Sequence, residues 1–246
     1  MENNKTASLP LIGKVINCII HKDECKSLKE YVHDMTVTAH TGCMGTNDNS
    51  LEAITEGAKY ADIVEFDIRF DNNGTPVLSH DAPKGNEVTF EEAVKLLKTL
   101  PDLKINIDIK STDNLSAVVE IAKKYDIFPR IFFTGVDSNF VDAVREQTKD
   151  VPYYLNVSVD KKKNTDFAYL ETLVKKVKDS GAIGINMKFT ACSDELVRFF
   201  RSEGLLVSLW TANSKREMKR CLALSPDNIT TRKPSVLKSI IVENKA

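Results

Sequence analysis

The chain of 246 residues lacks several features that would assign it to a broad class at once. Its formal net charge is only −1, which leaves no global field to attract nucleic acid or an anionic membrane surface. Its apolar run at 9–20 is too short for a membrane span and is interrupted by Lys14. We therefore expect no nucleic-acid partner and no stable membrane insertion.

Cysteine is scarce and its spacing indicates no disulfide framework or metal site. No C-x-x-C pair and no zinc pattern occurs, and the count is odd, with five residues: Cys18, Cys25, Cys43, Cys192 and Cys221. Such usage is typical of reduced thiols in a cytosolic protein. The segment before 9–20 has neither the basic cluster nor the cleavage site of a signal peptide. We expect a cytoplasmic protein with a helical extension at residues 1–35.

From residue 36 onward, strand-like and helix-like segments alternate. The strand-like runs cover 36–40, 62–70, 104–110, 130–135, 151–157, 182–187, 205–211 and 228–231. Eight such units predict parallel βαβ pairing, and at this length the economical closure is a (β/α)8 TIM barrel over 36–246. The alternative is an open doubly wound sheet, although the sequence lacks the Gly-rich phosphate loop typical of that fold.

Turn and cap residues refine this outline. Asn73-Gly74 predicts a hairpin after the second strand, which would fold residues 75–80 over the C-terminal mouth of the barrel. Asp113 and Ser193 precede amphipathic runs and are expected to cap their helices, while Gly181 and Gly204 follow such runs.

The run IVEFDIRF (63–70) holds two acidic residues inside an otherwise apolar strand. Glu65 and Asp67 are two residues apart and therefore point to one face. Asp108 and Lys110 repeat this arrangement on the next predicted barrel strand. We expect Lys110 to balance only one of the three carboxylates, so that they face a divalent cation, Mg²⁺ or Ca²⁺. The alternative is a buried ladder of salt bridges, with Arg69 and either Lys104 or Lys110 as partners.

Two histidines flank the predicted acidic cluster. His40 ends the first strand, and His80 ends the predicted hairpin. Because histidine titrates near neutrality, such a pair can act as general acid and general base. Together with a metal ion and Lys110, the pair suits cleavage of a phosphodiester.

These motifs occur in an order that resembles the glycerophosphodiester phosphodiesterase family. The similar stretches are AHTG (39–42), DNSLEAI (48–54), the Glu-x-Asp strand, NGTPVLSHD (73–81), INIDIK (105–110), LLVSLWTAN (205–213) and DNITTRKP (227–234). The resemblance spans about 36–236. It implies a TIM barrel, a divalent metal and hydrolysis of a small glycerophosphodiester to glycerol 3-phosphate and an alcohol.

The resemblance also implies roles for individual residues. His40 and His80 match the catalytic histidines, and Lys110 matches the lysine that contacts the phosphate. Trp210 matches an aromatic wall of the substrate site. The implied metal ligands are the three carboxylates already identified, Glu65, Asp67 and Asp108.

The sequence departs from the family pattern where the substrate is held. Thr41 stands where the family has an arginine, and a hydroxyl cannot replace the charge of a guanidinium. Asp48 replaces the glutamate before Asn49, Asp108 replaces a ligand glutamate, and Thr231 replaces an aspartate. Two alternatives stay open: a sphingomyelinase D or phospholipase D-like lyase that forms a cyclic phosphate, and a barrel that binds a phosphorylated ligand without efficient turnover. The sequence predicts no oligomeric state.

Overall fold

The computed structural model describes residues 35–243. Apart from Met35, the predicted helical extension at 1–35 lies outside the described residues, and so do Cys18 and Cys25. Within 35–243, no helix combines the length and apolar character needed to cross a membrane.

Strands and helices alternate through the described chain. The strands are β1 (Thr36–Ala39), β2 (Ile63–Phe70), β3 (Pro76–Leu78), β4 (Lys104–Ile109), β5 (Ile131–Val136), β6 (Tyr153–Asn156), β7 (Gly184–Lys188), β8 (Leu206–Trp210) and β9 (Asn228–Thr231). The α-helices are α1 (Leu51–Ala58), α2 (Phe90–Leu97), α3 (Leu115–Lys124), α4 (Val141–Gln147), α5 (Phe167–Ser180), α6 (Asp194–Ser202), α7 (Lys215–Leu224) and α8 (Pro234–Glu243).

Eight of the described strands close into a parallel barrel. Its order is β1-β2-β4-β5-β6-β7-β8-β9, and β9 returns to β1 with Thr36 opposite Asn228. The strand β3 pairs antiparallel with β2 outside the barrel, with Ile68 opposite Leu78. Both the predicted (β/α)8 barrel and the predicted hairpin at Asn73-Gly74 are therefore confirmed.

Alternation along β2 decides which side chains enter the barrel. Phe66 points outward and its ring lies 6.1 Å from that of Phe90 in α2. Both rings are fully buried, and burial of a phenylalanine side chain stabilises a fold by about 2 kcal/mol. This outward packing directs the neighbouring residues Glu65 and Asp67 into the barrel interior.

Most of the helix caps predicted from the sequence are present in the structure. The Ser193 hydroxyl accepts a hydrogen bond from the Leu196 N–H at 3.1 Å, and Gly181 ends α5 at a φ of 79°. The prediction for Asp113 is wrong, because Asn114 holds the cap position of α3. Asn114 makes no side-chain cap there, because its Oδ1 accepts from the Ser116 hydroxyl at 3.0 Å while its Nδ2 donates to the Gly74 carbonyl in the hairpin at 2.9 Å.

The barrel interior is polar below its C-terminal mouth. Asn228 accepts a hydrogen bond from the Thr38 hydroxyl at 2.8 Å and donates one to Ser208 Oγ at 3.0 Å. Thr134 donates to Asn106 in the same way at 2.9 Å. Because buried polar groups are costly only when unpaired, this network lets the barrel hold an interior of hydroxyls and amides.

Candidate active site

All eight residues that the sequence predicts for a site line one cavity at the C-terminal ends of the strands. The cavity has a volume of about 500 Å³. The eight residues are His40, Thr41, Glu65, Asp67, His80, Asp108, Lys110 and Trp210. Lys84, an exposed residue on the loop after His80, does not line this cavity.

The three carboxylates lie close together because β2 and β4 pair in register. Asp67 stands opposite Asp108, and Glu65 lies one inward position below Asp67. Glu65, Asp67 and Asp108 each present an oxygen within 4.8 Å of the others. Burial, opposed by His40 and reinforced by the nearby Asp108 and Asp67, raises the pKa of Glu65 to about 7. Burial likewise raises the pKa of Asp108, against the pull of Lys110.

This donor set fits a hard divalent cation. The three ligand groups offer only oxygen, and hard cations such as Mg²⁺ and Ca²⁺ prefer oxygen ligands. The raised pKa of Glu65 and Asp108 means that the ionised cluster lacks sufficient positive charge of its own. A bound cation would supply that charge.

Lys110 contacts two of the carboxylates. Its Nζ lies 3.1 Å from Asp67 Oδ1 and 2.7 Å from Asp108 Oδ2. Although burial opposes the charged form, Asp108 and Asp67 raise the pKa of Lys110 above its ordinary range. Its single charge still balances only one of the three carboxylates, although the ammonium contacts two of them. Of the other suggested partners, Arg69 instead donates through Nε to the His80 carbonyl at 2.7 Å, and Lys104 is exposed.

Each of the two histidines has its Nδ1 atom engaged. His40 Nδ1 lies 2.8 Å from the Thr41 carbonyl, which can only accept, so this nitrogen carries the proton. His80 Nδ1 lies 3.0 Å from Asp81 Oδ1. The His80 hydrogen bond and charge lower the pKa of Asp81, whose ionised carboxylate accepts from the imidazole. Nε2 of both rings has no hydrogen-bond partner among the described residues and is therefore able to exchange a proton with a ligand.

The family of the chain follows from a match over most of the barrel. The model of the glycerophosphoryl diester phosphodiesterase family matches residues 83–236. The chain belongs to this family. Its members are phosphoric diester hydrolases, and the chain is one of these enzymes. The matched segment includes Asp108, Lys110 and Trp210, whereas both histidines and the Glu-x-Asp strand precede it.

Solved structures of glycerophosphodiester phosphodiesterases share this fold. A candidate enzyme from Silicibacter pomeroyi DSS-3 is 18% identical, with a TM-score of 0.72 over 86% of this chain and 94% of that chain. An enzyme from Parabacteroides distasonis ATCC 8503 is 16% identical, with a TM-score of 0.70 over 87% and 99%. An Oleispira antarctica phosphodiesterase, solved with its product sn-glycerol-3-phosphate, is 16% identical, with a TM-score of 0.68 over 84% and 96%. No curated protein matches the sequence.

Asn49 contacts the carboxylate cluster of this phosphodiesterase, a role that the sequence analysis missed. Its Nδ2 donates to Asp67 Oδ2 at 2.9 Å, and its Oδ1 accepts the Asp67 N–H at 2.9 Å. Thr41 is buried beside it, and the Thr41 hydroxyl exchanges hydrogen bonds with Asn49. The available signal was an asparagine just before a helix, in the stretch DNS, and its positive φ of 56° is tolerated best by asparagine among side-chain-bearing residues.

Arg232 is the second cavity residue of this phosphodiesterase that the sequence analysis missed. It follows β9 directly and forms an ion pair with Asp48, with Nη1 and Oδ1 2.7 Å apart. Both residues line the cavity. The two are separated by 184 positions in the chain, so no local pattern could have paired them.

Trp210 forms part of the wall between the phosphodiesterase cavity and a neighbouring groove. The groove has a volume of about 590 Å³ and shares Lys110, Asn156 and Trp210 with the cavity. Lys188 Nζ lies 5.5 Å from the centre of the Trp210 ring, within cation–π range. The Trp210 Nε1 atom is buried and has no hydrogen-bond partner among the described residues.

Proposed function

We propose that the chain is a metal-dependent hydrolase that cleaves glycerophosphodiesters to glycerol 3-phosphate and an alcohol. The observation that carries this proposal is the convergence of three carboxylates, Lys110, His40 and His80 on one cavity. Membership of the glycerophosphoryl diester phosphodiesterase family supports the reaction class. The product sn-glycerol-3-phosphate bound to the Oleispira relative supports the substrate class.

The two histidines are proposed to move the protons. One removes a proton from the attacking nucleophile, and the other protonates the leaving oxygen. His40 is held by the Thr41 carbonyl and His80 by Asp81, so each presents Nε2 for this exchange. The hydrogen bond between His80 Nδ1 and Asp81 orients the imidazole ring.

The remaining site residues are proposed to bind the metal and the substrate. Glu65, Asp67 and Asp108 would hold one divalent cation, Mg²⁺ or Ca²⁺. When bound, that cation stabilises negative charge on the phosphoryl oxygens as a Lewis acid. Lys110 contacts the phosphate, Trp210 forms a wall of the substrate site, and the Thr41 N–H positions Glu65 by donating to its Oε2 at 3.0 Å.

A cytoplasmic location is part of the same proposal. Among the described residues, all three cysteines are free and buried, namely Cys43, Cys192 and Cys221. Such cysteines behave as small apolar core residues and suit a reducing compartment.

One observation favours a second candidate, a barrel that binds a phosphorylated ligand with little turnover. The Thr41 hydroxyl is engaged by Asn49, so position 41 offers neither charge nor a spare donor to a phosphate. This candidate predicts binding of glycerol 3-phosphate without hydrolysis of its diesters.

The test is incubation of the purified protein with glycerophosphocholine or lysophosphatidylcholine, with Mg²⁺, with Ca²⁺ and with chelator, followed by phosphorus NMR. We expect a phosphomonoester signal that depends on the metal. His80→Ala should reduce it by at least about 100-fold, since general acid–base catalysis contributes that much. Lys84→Ala, an exposed change on the same loop, is the control and should leave the rate unchanged.

Three other outcomes would redirect the assignment. A His80→Ala variant of normal activity contradicts the proposed acid–base pair. A cyclic phosphate signal assigns the chain to the lyase chemistry of sphingomyelinase D-like enzymes. Binding of glycerol 3-phosphate with no product over long incubation favours the binding barrel.

A further inference from the structure

The cavity is short of cationic groups for an anionic substrate. Its described lining holds four carboxylates, and Lys110, which contacts Asp67 and Asp108, cannot alone balance these groups and a phosphate. Position 41, where the family pattern that the sequence resembles has an arginine, holds a threonine whose hydroxyl is bound to Asn49. A phosphodiester carries a negative charge that must still be matched in a partly desolvated site.

We propose that Arg232 binds the phosphate of the substrate and replaces, from the opposite end of the chain, the arginine that position 41 lacks. This inference rests on the proposed function and adds a phosphate-binding residue to it. Arg232 lines the same cavity as His40, Thr41 and the carboxylates.

The backbone of Arg232 is fixed on both sides. Its N–H donates to Asn213 Oδ1 at 2.8 Å, in the loop after β8. Its carbonyl accepts the Met44 N–H at 2.8 Å, in the loop after β1. Arg232 therefore ties together two loops of the cavity rim, and its side chain starts from a defined position rather than from a free loop.

The guanidinium is oriented and still has donors available. Its Nη1 and Nη2 atoms lie 2.7 and 3.2 Å from Asp48 Oδ1 and Oδ2. This fork uses two of the five N–H donors of an arginine, which leaves three that can reach an anion. The Arg232 side chain is 38% exposed, so its remaining edge is open to a ligand in the cavity.

Gly42 places this ion pair directly beside position 41. Its φ of 67° favours glycine, and a Cβ built there would lie 2.0 Å from Asp48 Oδ1 and 2.5 Å from Arg232 Nη1. Only a residue without a side chain leaves room for the pair. The guanidinium thus lies against Gly42, the residue that follows Thr41 in the chain.

The test compares Arg232→Met with Arg198→Met. Arg198 forms a similar ion pair with Asp194 on the outer helix α6, with side chains 46% and 52% exposed against 38% and 53% for Arg232 and Asp48. Binding of glycerol 3-phosphate is measured by titration calorimetry with the divalent cation present, and turnover of glycerophosphocholine is measured in parallel. Thermal unfolding of each variant checks that the fold is retained.

We expect Arg232→Met to weaken binding of glycerol 3-phosphate and to raise KM by about 10- to 100-fold, the range for loss of a charge-assisted hydrogen bond. Arg198→Met should change neither by more than about twofold. Arg232→Lys keeps the charge but loses the planar fork, so it should fall between wild type and Arg232→Met. If Arg232→Met fails to fold, the comparison of Arg232→Lys with Arg198→Met carries the test.

The outcomes separate this inference from the proposed function. Unchanged binding in Arg232→Met, or an equal loss in Arg198→Met, overturns the role of Arg232 even when the wild type is an active hydrolase. Binding that depends on Arg232 in a wild type without turnover supports the phosphate site and contradicts the hydrolase. A wild type that neither binds nor turns over overturns both.

Discussion

The two halves of the cavity satisfy their polar groups in different ways. The half formed by β1, β2 and β4 carries the ionisable groups, namely His40, Glu65, Asp67, Asp108 and Lys110. In the half formed by β5 to β9, the strand residues that line the cavity are uncharged, namely Thr134, Asn156, Asn186, Trp210 and Thr230.

The two halves also differ in what holds them together. In the neutral half, Asn156 Oδ1 accepts from the Gly135 N–H at 3.1 Å and from Asn186 Nδ2 at 3.0 Å. In the charged half, burial raises the pKa of Glu65 and of Asp108, so that half carries a free-energy cost when ionised. The comparison shows that the neutral half of the cavity contributes to stability, whereas the charged half holds the reactive groups at a cost in stability.

Replacement of Glu65 tests the charged half and should have the largest effect. We expect Glu65→Gln to abolish metal binding and to reduce turnover by more than about 1,000-fold, since the metal site and the charge stabilisation it supplies are lost together. The same change should stabilise the metal-free protein by on the order of 2 kcal/mol above pH 7.

The pH dependence of that gain follows from the raised pKa of Glu65. Below the pKa that Glu65 has in the unfolded chain, the carboxyl is protonated in both the folded and the unfolded protein. The substitution then has little effect on the free energy of unfolding. Between that value and about 7 the unfolded chain ionises first, and the stability of the wild type falls as the pH rises. Urea unfolding in chelator at pH 5 and pH 8.5 measures this, and an equal gain at both pH values would contradict ionisation of Glu65 as the cause.

Replacement of Asn156 tests the neutral half and should act on stability. Asn156→Ala leaves the Gly135 N–H and the Asn186 amide without their acceptor, which costs about 1–3 kcal/mol. We expect kcat to change by less than about tenfold, because Asn156 carries no charge to the reacting phosphate. Denaturant unfolding and steady-state kinetics measure the two effects. A loss of kcat as large as that of Glu65→Gln would contradict the different roles of the two halves.

The buried thiols should give the smallest effect. Burial raises the pKa of Cys43 to about 11 and that of Cys192 and Cys221 to about 12. At pH 8 the thiolate fraction of Cys43 is therefore on the order of 1 in 1,000. Treatment of the native protein with a thiol reagent, followed by peptide mapping, should label none of the three until denaturant is added. Rapid native labelling of Cys43 would mean that the loop after β1 opens often.

The barrel could be predicted because its evidence is local. Each strand is a short apolar run, each helix an amphipathic one, and the predicted limits lie within a few residues of the observed ones. The inward direction of Glu65 and Asp67 follows from the same alternation, since Phe66 between them packs against α2. Local pattern therefore locates most of the cavity lining.

The interactions that complete the site could not be predicted, because they join distant parts of the chain. The ion pair of Arg232 with Asp48 links the loop after β9 to the loop after β1. The two contacts of Lys110 depend on the register of β2 against β4, which alternation alone does not define. The cap predicted at Asp113 is wrong for a similar reason, because Asn114 is engaged by the hairpin.

Lys110 reaches both Asp67 and Asp108 from the end of the same strand that carries Asp108. When β2 and β4 pair during folding, the repulsion between Asp67 and Asp108 is reduced by the Lys110 ammonium, which directly follows β4. We therefore expect the barrel to close without an ion. Under the proposed metal dependence, folding and activation are then two separable stages, so that the abundance of this protein and its activity respond to different conditions in the cell.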